Sequence, residues 1–169
     1  MHIEIQKNIP IYIKNAVKRE DFLITGSVGA GRWAEVPWIG IFNRNITSSA
    51  QQGFYVCYLF ANDMNSIFLT IIHSITKKVS GKNWGKDQIK IFVDSKRQDL
   101  KSFIEDNQYH LPGDITIDDP ISFGKSERAK KYSESTIAYK EYNRGNIPSN
   151  DELINDLYSL TQKDSFRLI

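Results

Sequence analysis

Four closely spaced apolar runs in the first half of the chain constrain its fold more than any other feature. They are rich in Ile, Val, Phe and Tyr and are separated by clusters of Gly, Asn, Asp or Ser, a pattern typical of strands joined by turns. The runs cover residues 22–28, 37–42, 54–60 and 66–72. Because a parallel crossover needs about a dozen residues or more, these short connections favour antiparallel pairing.

Three other segments have the spacing of amphipathic helices. A short helix is predicted over residues 9–19, with Pro10 in its first turn, where a missing N–H is tolerated. A long helix is predicted over residues 84–106, because apolar residues recur there at helical intervals. Its apolar stripe, which should face the sheet, consists of Ile89, Phe92, Val93, Leu100, Phe103 and Ile104. Ser149 and Glu152 have the spacing of a capping box, so a C-terminal helix should start there.

Two later segments are predicted as extended chain. Residues 115–117 are predicted as a short strand, and residues 132–142 mix β-branched and aromatic residues with charges. With 169 residues, of which 40% are hydrophobic, the chain is long enough for one core. We expect a single α+β domain over residues 1–169, with a curved, mostly antiparallel sheet packed with one long helix and shorter N- and C-terminal helices.

The charge of the chain is only mildly basic, so any affinity for DNA must come from a local patch. The formal net charge is +2 and the isoelectric point is near 8.5. Residues 125–144 hold six Lys or Arg against three Glu. The residues assigned here to the DNA backbone are Lys125, Arg128, Lys130, Lys131 and Lys140.

Cysteine usage and hydropathy indicate an intracellular protein. The single cysteine, Cys57, lies inside an apolar run and cannot form a disulfide within the chain. The chain does not open with the pattern of a signal peptide, and no run approaches the roughly 18 apolar residues that a membrane span needs. We therefore expect a soluble protein of the cytoplasm.

A glycine-rich loop between the first two predicted strands suits contact with nucleic acid. The glycines of Gly26-x-x-Gly29-x-Gly31 allow positive φ angles and close approach to another molecule. Arg32 and Trp33 follow at once. A guanidinium meets phosphate or guanine and an indole stacks on a base, so this loop is predicted to face DNA.

Motifs for catalysis and for bound cofactors are weak in this chain. The glycine loop has neither the Gly-Lys-Ser/Thr ending of a phosphate-binding loop nor the setting of a dinucleotide site. His2, His73 and His110 stand far apart without spaced Cys or Glu partners, so neither zinc nor a Ser/His/Asp triad is predicted. Asp94-x-Lys96 has a nuclease-like form but lies within the predicted long helix. We expect no catalytic residue, no metal and no cofactor.

Several blocks of sequence resemble the N-terminal DNA-binding domain of McrB-type subunits of modification-dependent restriction systems. The blocks are Gly29-x-Gly31-x-Trp33-Ala34-x-Val36-Pro37-Trp38-Ile39-x-Ile41-Phe42, Ile46-Thr47-x-Ser49-x-Gln51-x-Gly53 and Tyr55-Val56-x-Tyr58-Leu59-Phe60. Two less specific blocks follow, Tyr132-x-x-Ser135-Thr136-Ile137-x-x-Lys140-x-Tyr142 and Ile147-Pro148-Ser149-x-x-Glu152-Leu153. The likeness covers nearly the whole chain.

The resemblance implies that the domain reads a modified cytosine, above all 5-methylcytosine, in double-stranded DNA and turns that base into a pocket. It places the pocket on Tyr55 and Leu59, four apart on one strand, and Trp38 is added as a third pocket candidate. From strand position alone, Tyr55 and Trp38 are predicted as core residues. It places the DNA-facing loop on Gly29, Ala30, Gly31, Arg32 and Trp33. Some family members carry an aromatic residue where this chain has Ala30, which is too small to fill the gap left by a flipped base.

The leading hypothesis is therefore a DNA-recognition module that is not itself an enzyme. The resemblance implies a longer parent protein with a GTP-hydrolysing motor domain and a partner nuclease subunit or domain. A self-contained metal-dependent nuclease is one alternative. A protein-interaction module, in which Trp33, Trp38 and Tyr55 form an apolar patch for another subunit, is the other.

Overall fold

Five antiparallel strands form the central sheet. They are β1 (Phe22–Ser27), β2 (Trp38–Asn43), β3 (Phe54–Phe60), β4 (Ser66–His73) and β7 (Thr136–Asn143). Their order is β1-β2-β3-β4-β7, so the first four strands form a meander and β7 returns beside β4. A separate two-stranded ladder pairs β5 (Lys78–Val79) with β6 (Lys82–Asn83). The predicted antiparallel sheet is confirmed, and the bounds of its first four strands differ from the predicted ones by at most one residue at either end.

The computed structural model describes residues 2–74, 78–79, 82–83, 85–107, 111, 114–117, 119 and 121–161.

The helices include the three predicted ones and one that sequence reasoning missed. A π-helical turn (Glu4–Asn8) leads into α1 (Ile9–Val17), which ends where Lys18 adopts a left-handed conformation with φ of 49°. The other helices are α2 (Lys86–Asn107), α3 (Glu127–Ser135) and α4 (Asn150–Thr161), and a 3₁₀ turn (Arg144–Asn146) precedes α4. Trp84 and His110 lie outside the described residues. In the part of the chain that is described, no helix combines the length with the apolar character that a bilayer span requires.

The capping box predicted at α4 is present. The hydroxyl oxygen of Ser149 accepts a hydrogen bond from the backbone N–H of Glu152 at 3.3 Å, and the Glu152 carboxylate accepts one from the backbone N–H of Ser149 at 3.0 Å. Two donors at the helix start are satisfied by this pair. The start of the C-terminal helix is thus confirmed.

The extended chain predicted over residues 132–142 is wrong for its first four residues. Those residues end α3, and the strand begins at Thr136. Ser126 caps α3 by accepting a hydrogen bond from the backbone N–H of Ala129 at 3.1 Å. Ala129 and Tyr132, three residues apart, are both buried, which is helical spacing. The short strand predicted over residues 115–117 is wrong too, because Thr116 makes an isolated bridge to Tyr139 instead.

The sheet has two apolar faces, each with its own helices. The α4 face carries Ile39, Ile41, Val56, Tyr58, Leu69 and Ile71, which cluster with residues of α1, α2 and α4. The α3 face carries Phe42, Tyr55, Cys57, Leu59, Phe68 and Ile72, which cluster with Phe123 and with Ala129 and Tyr132 of α3. Successive residues of one strand thus belong to different cores. Five of the six residues of the predicted α2 stripe join the first cluster: Ile89, Val93 and Leu100 are buried, and Phe92 and Ile104 are partly buried against it.

Gly26 has a different role from the one that the sequence suggests. It lies within β1 and pairs with Ile39 of β2. A side chain at Gly26 would collide with the carbonyl oxygen of Ile5, so the close approach is made by the N-terminal π-helical turn of the same chain. The positive φ angles in this region belong to Gly29 and Gly31.

Candidate nucleic-acid interface

The loop between β1 and β2 is a tight, exposed turn. Gly29 and Gly31 have φ angles of 98° and 75°, which L-residues with side chains rarely adopt. The backbone N–H of Ala34 donates to the carbonyl oxygen of Val28 at 2.7 Å and closes the loop. A side chain at Gly29 would collide with the backbone of the same loop. The glycines therefore shape the loop so that Ala30, Gly31 and Arg32 are exposed at its tip.

Trp33 is only partly available for contact with another molecule. Its side chain is 37% exposed. Its ring lies edge-to-face with the ring of His2, with 4.5 Å between centroids. Arg32, which precedes it, is exposed. Arg32 and Trp33 are adjacent in sequence but thus differ in their accessibility to another molecule, because Trp33 packs on the N-terminal segment of its own chain.

A cavity of about 330 Å³ lies next to this loop, between the loop and α3. The loop and the start of β2 line one side with Ser27, Gly29, Ala30, Ala34, Glu35, Val36 and Trp38. Helix α3 and its cap line the other side with Ser126, Arg128, Ala129 and Tyr132. The structure therefore brings four predicted site residues, Gly29, Ala30, Trp38 and Arg128, to one cavity.

Glu35 connects the two sides of the cavity. Its Oε1 atom accepts hydrogen bonds from the backbone N–H groups of Lys125 at 3.0 Å and Ser126 at 3.2 Å, just before α3 begins. Bonds from the Ser126 side chain and from both backbone groups lower the pKa of the Glu35 carboxyl below its usual 4.5, against a smaller opposing effect of burial. Glu35 is therefore ionised at neutral pH and can hold these donors.

On the α3 side of the cavity, the cationic side chain of Arg128 lies near the phenol of Tyr132. The Tyr132 ring is buried, and burial raises the pKa of its hydroxyl, although the nearby positive charge of Arg128 partly opposes that shift. The Tyr132 hydroxyl therefore stays neutral at neutral pH, and Arg128 brings guanidinium donors to the cavity.

Tyr55 and Leu59 do not line the cavity, but they share a core cluster with residues that do. They are 2% and 0% exposed. Leu59 pairs directly with Trp38 across the β2–β3 ladder, and the Tyr55 ring packs on Phe42 with 4.9 Å between centroids. Burial strongly raises the pKa of the Tyr55 hydroxyl. These two residues support the cavity from the core, whereas Trp38, half-buried, lines it.

The predicted backbone-binding residues fall into two groups. Lys125, Arg128 and Lys130 are exposed and Lys131 is half-buried, and all four lie on α3 or just before it. Lys130 also forms an ion pair with Glu127 at 2.7 Å on the helix surface. Lys140 lies on the α4 face, where its ammonium is 2.9 Å from Asp156 and its side chain is 18% exposed. The structure separates Lys140 from the other four.

The residues that suggested alternative functions are not assembled into other sites. The Asp94 carboxylate on α2 is bound by Lys90 and Arg97, each at 2.7 Å. Within the described residues, no group of three or more His, Cys, Asp or Glu side chains is placed to hold a metal ion. Trp33 is partly exposed while Tyr55 is buried, so Trp33, Trp38 and Tyr55 do not share one exposed patch.

A larger cavity of about 530 Å³ lies on the opposite side of the sheet, between α1, the strands and α4. It is lined mainly by aliphatic and aromatic side chains, such as Tyr12, Ile39 and Leu153. The predicted site residues all lie elsewhere. The smaller cavity is the candidate site, because it has an exposed loop at its mouth and because the cationic side chain of Arg128 lines it together with Trp38.

A family of proteins matches nearly the whole chain. The profile described as MrcB-like, N-terminal domain matches residues 2–163. The chain belongs to this family. The resemblance deduced from the sequence is thereby confirmed, and the MrcB-like domain is a DNA-binding module of a restriction system. No curated protein matches the chain.

Sequence reasoning missed three residues that build the cavity of this MrcB-like domain. Glu35 was passed over because its partners, Lys125 and Ser126, lie 90 and 91 residues away. Tyr132 was assigned to an extended segment although it lies on α3. The signal for both Ser126 and Tyr132 was the cap followed by Ala129, Tyr132 and Ser135 at three-residue intervals, which predicts a short amphipathic helix.

Proposed function

We propose that this MrcB-like domain reads a modified cytosine in duplex DNA, with 5-methylcytosine as the expected base, and receives that base in the cavity between the β1–β2 loop and α3. The proposal depends on the family and on one structural observation. In the structure, an exposed glycine loop, aromatic side chains and an arginine line the same cavity. Each of these is a type of group that binds nucleic acid.

The size and lining of the cavity suit a single base. Its volume of about 330 Å³ is at the lower end of the range of small-ligand sites, which is about 300–1,000 Å³. Trp38 and Tyr132 offer ring surfaces, and Arg128 offers donors for the acceptor atoms of a base. Removing a base from the duplex costs a few kcal/mol, and a cavity that contacts the extruded base on several sides can offset that cost.

The residues named from the family resemblance take distinct roles in this proposal. Trp38 forms a wall against the base, and Leu59 and Tyr55 hold that wall in place from the core. Phosphates beside the cavity are contacted by Lys125, Lys130 and Lys131. Such contacts fix the position of a protein on a duplex. Lys140 is left out of the phosphate-binding group because Asp156 engages it on the other face.

The loop must also occupy the gap that an extruded base leaves. Ala30 is too small to do so. Arg32 is exposed at the tip of the loop, whereas the Trp33 ring packs on His2. Arg32 is therefore the residue that enters the gap, where its planar guanidinium can stack on the neighbouring bases.

The chain acts as the recognition part of a larger defence system against modified DNA, such as that of a phage. It has no catalytic activity and no cofactor of its own in this proposal. Cleavage and NTP hydrolysis come from other domains or from a partner nuclease subunit. Because its target is cellular or invading DNA, it works in the cytoplasm.

Titration of fluorescent duplexes tests the proposal. Each duplex carries cytosine, 5-methylcytosine, 5-hydroxymethylcytosine or N4-methylcytosine at one position, and anisotropy is measured at fixed salt with the 169-residue chain. We expect one modified duplex to bind more tightly than the unmodified duplex. Equal affinity for all four would reject the reading of modified bases and leave only general DNA binding.

A further inference from the structure

The two walls of the candidate cavity come from distant parts of the chain. One wall belongs to residues 27–38 and the other to residues 126–132. Glu35 bridges them, since Oε1 accepts hydrogen bonds from the backbone N–H groups of Lys125 and Ser126 at 3.0 and 3.2 Å. Backbone donors have fixed positions, so these two hydrogen bonds tie the loop to the start of α3.

The chain next to α3 is shaped to admit this carboxylate. Gly124 has a φ angle of 152°, a conformation that favours glycine. A side chain at Gly124 would collide with the Glu35 carboxylate and would also crowd Ala129, at 3.3 Å from its Cβ. The absence of a side chain at Gly124 therefore allows Glu35 to reach the two backbone donors.

We propose that Glu35 is a positioning residue that sets the width of the cavity and thereby the discrimination between modified and unmodified cytosine. It acts through α3, which carries Arg128 and Tyr132 into the cavity. A change of width moves these two groups relative to Trp38 on the opposite wall. A methyl group on the base alters its size by little, so only a cavity of fixed width can detect it. This inference rests on the proposed function.

The test compares Glu35→Ala with Glu35→Gln. Alanine removes the acceptor, whereas the glutamine amide oxygen can still accept from both backbone groups. For each variant, affinities for the preferred modified duplex and for the unmodified duplex are measured, together with the Tm. We expect Glu35→Ala to lower the ratio of the two affinities roughly tenfold, as for loss of a constrained hydrogen-bonded contact, and Glu35→Gln to retain most of it.

Charge is controlled with Glu20→Ala, which removes an exposed carboxylate of the same type away from the cavity. Glu20→Ala should strengthen binding of both duplexes equally and leave the ratio unchanged, because it alters only the long-range field. If Glu35→Gln lost as much discrimination as Glu35→Ala, the charge and not the tie between the walls would matter, and the inference would be overturned. A Glu35→Ala protein with a lower Tm but an unchanged ratio would overturn it too.

A second variant disrupts the same contact from the α3 side of the cavity. Gly124→Ala should displace the carboxylate and lower the affinity ratio as Glu35→Ala does. Gly145→Ala is the matched control, because a side chain there meets open space. If the wild-type chain shows no preference, the proposed function fails and this inference fails with it. If the wild type discriminates and Gly124→Ala does so equally well, only the role of Glu35 is rejected.

Discussion

Polar side chains have different roles on the two faces of the central sheet. On the α4 face, the hydroxyl of Tyr142 donates to Asp156 at 2.8 Å, and Lys140 pairs with the same carboxylate at 2.9 Å. The hydroxyl of Tyr58 donates to the carbonyl oxygen of Leu153 at 3.2 Å. These polar groups are used to attach α4 to the sheet.

On the α3 face, charged groups surround an open cavity instead. Arg128 is exposed at its mouth, and Glu35 holds its two walls together. The same strands serve both faces, since Ile39 packs under α4 while its neighbour Trp38 lines the cavity. Because successive side chains of a strand point to opposite faces of the sheet, one strand contributes both to the scaffold on the α4 face and to the site on the α3 face. The following predictions test that separation, from the largest expected effect to the smallest.

Asp156→Ala should reduce stability by roughly 3 kcal/mol, because it leaves Lys140 and the Tyr142 hydroxyl without their partner in a largely buried place. The free energy of unfolding in urea measures the effect. Tyr142→Phe, which removes only the hydroxyl, should cost about 1 kcal/mol. The preference for modified DNA, measured on folded protein, should be unchanged in both. A lost preference would show that the two faces do not act separately.

Trp38→Ala should lower the preference for the modified duplex roughly tenfold, because stacking on one aromatic ring contributes about 1–3 kcal/mol per base. The ratio of the two dissociation constants measures it. Tyr12→Ala is the matched control, since Tyr12 lines the larger cavity on the α4 face. If Tyr12→Ala lost the preference and Trp38→Ala kept it, the base would bind in the larger cavity, and the assignment of the site to the smaller cavity would be wrong.

Lys125→Ala should weaken binding of every duplex to the same extent and reduce the slope of log K against log salt by about 1. Lys125 is exposed beside the cavity. Lys140→Ala removes the same charge from the α4 face, where the ammonium pairs with Asp156. That variant should lose stability and keep the salt slope of the wild type. Equal slopes for the two variants would contradict the assignment of phosphate contacts to the α3 face.

Tyr132→Phe should have the smallest effect. It removes the hydroxyl that lies near Arg128 and keeps the ring that lines the cavity. A hydrogen bond made by one hydroxyl contributes about 0.5–1.5 kcal/mol, so the preference for the modified base should fall only a few-fold while the Tm stays close to that of the wild type. If Tyr132→Phe behaved like Trp38→Ala, the Tyr132 hydroxyl would contribute as much to reading the base as the Trp38 ring.

Most of the fold was predictable because it follows from local patterns. The four strands from β1 to β4 are apolar runs separated by short turns, and the capping box at Ser149 marks the start of α4. The short helix α3 was not predicted, because its charged residues are followed at once by the β-branched run that begins at Thr136. Burial of Ala129 and Tyr132 against the sheet, a tertiary contact, is what stabilises it.

The candidate site was predictable only in part. The exposed loop follows from its glycines, which adopt the positive φ angles that they permit. Trp38 and Arg128 were named from the sequence, but their meeting at one cavity depends on a contact between residues about 90 positions apart. Spacing within a strand also placed Tyr55 and Leu59 on one face without showing that Trp38 and α3 cover them. Such contacts leave no local signal.

Photo-crosslinking tests the central claim most directly. A duplex carries 5-iodocytosine at the position of the modified base, where iodine takes the place of the methyl group and reacts with nearby aromatic rings on irradiation. Peptide mapping of the crosslinked chain should find the base on Trp38 or Tyr132, the aromatic residues that line the cavity on the α3 face. Crosslinks confined to α1 or α4 would contradict the claim that this cavity receives the base.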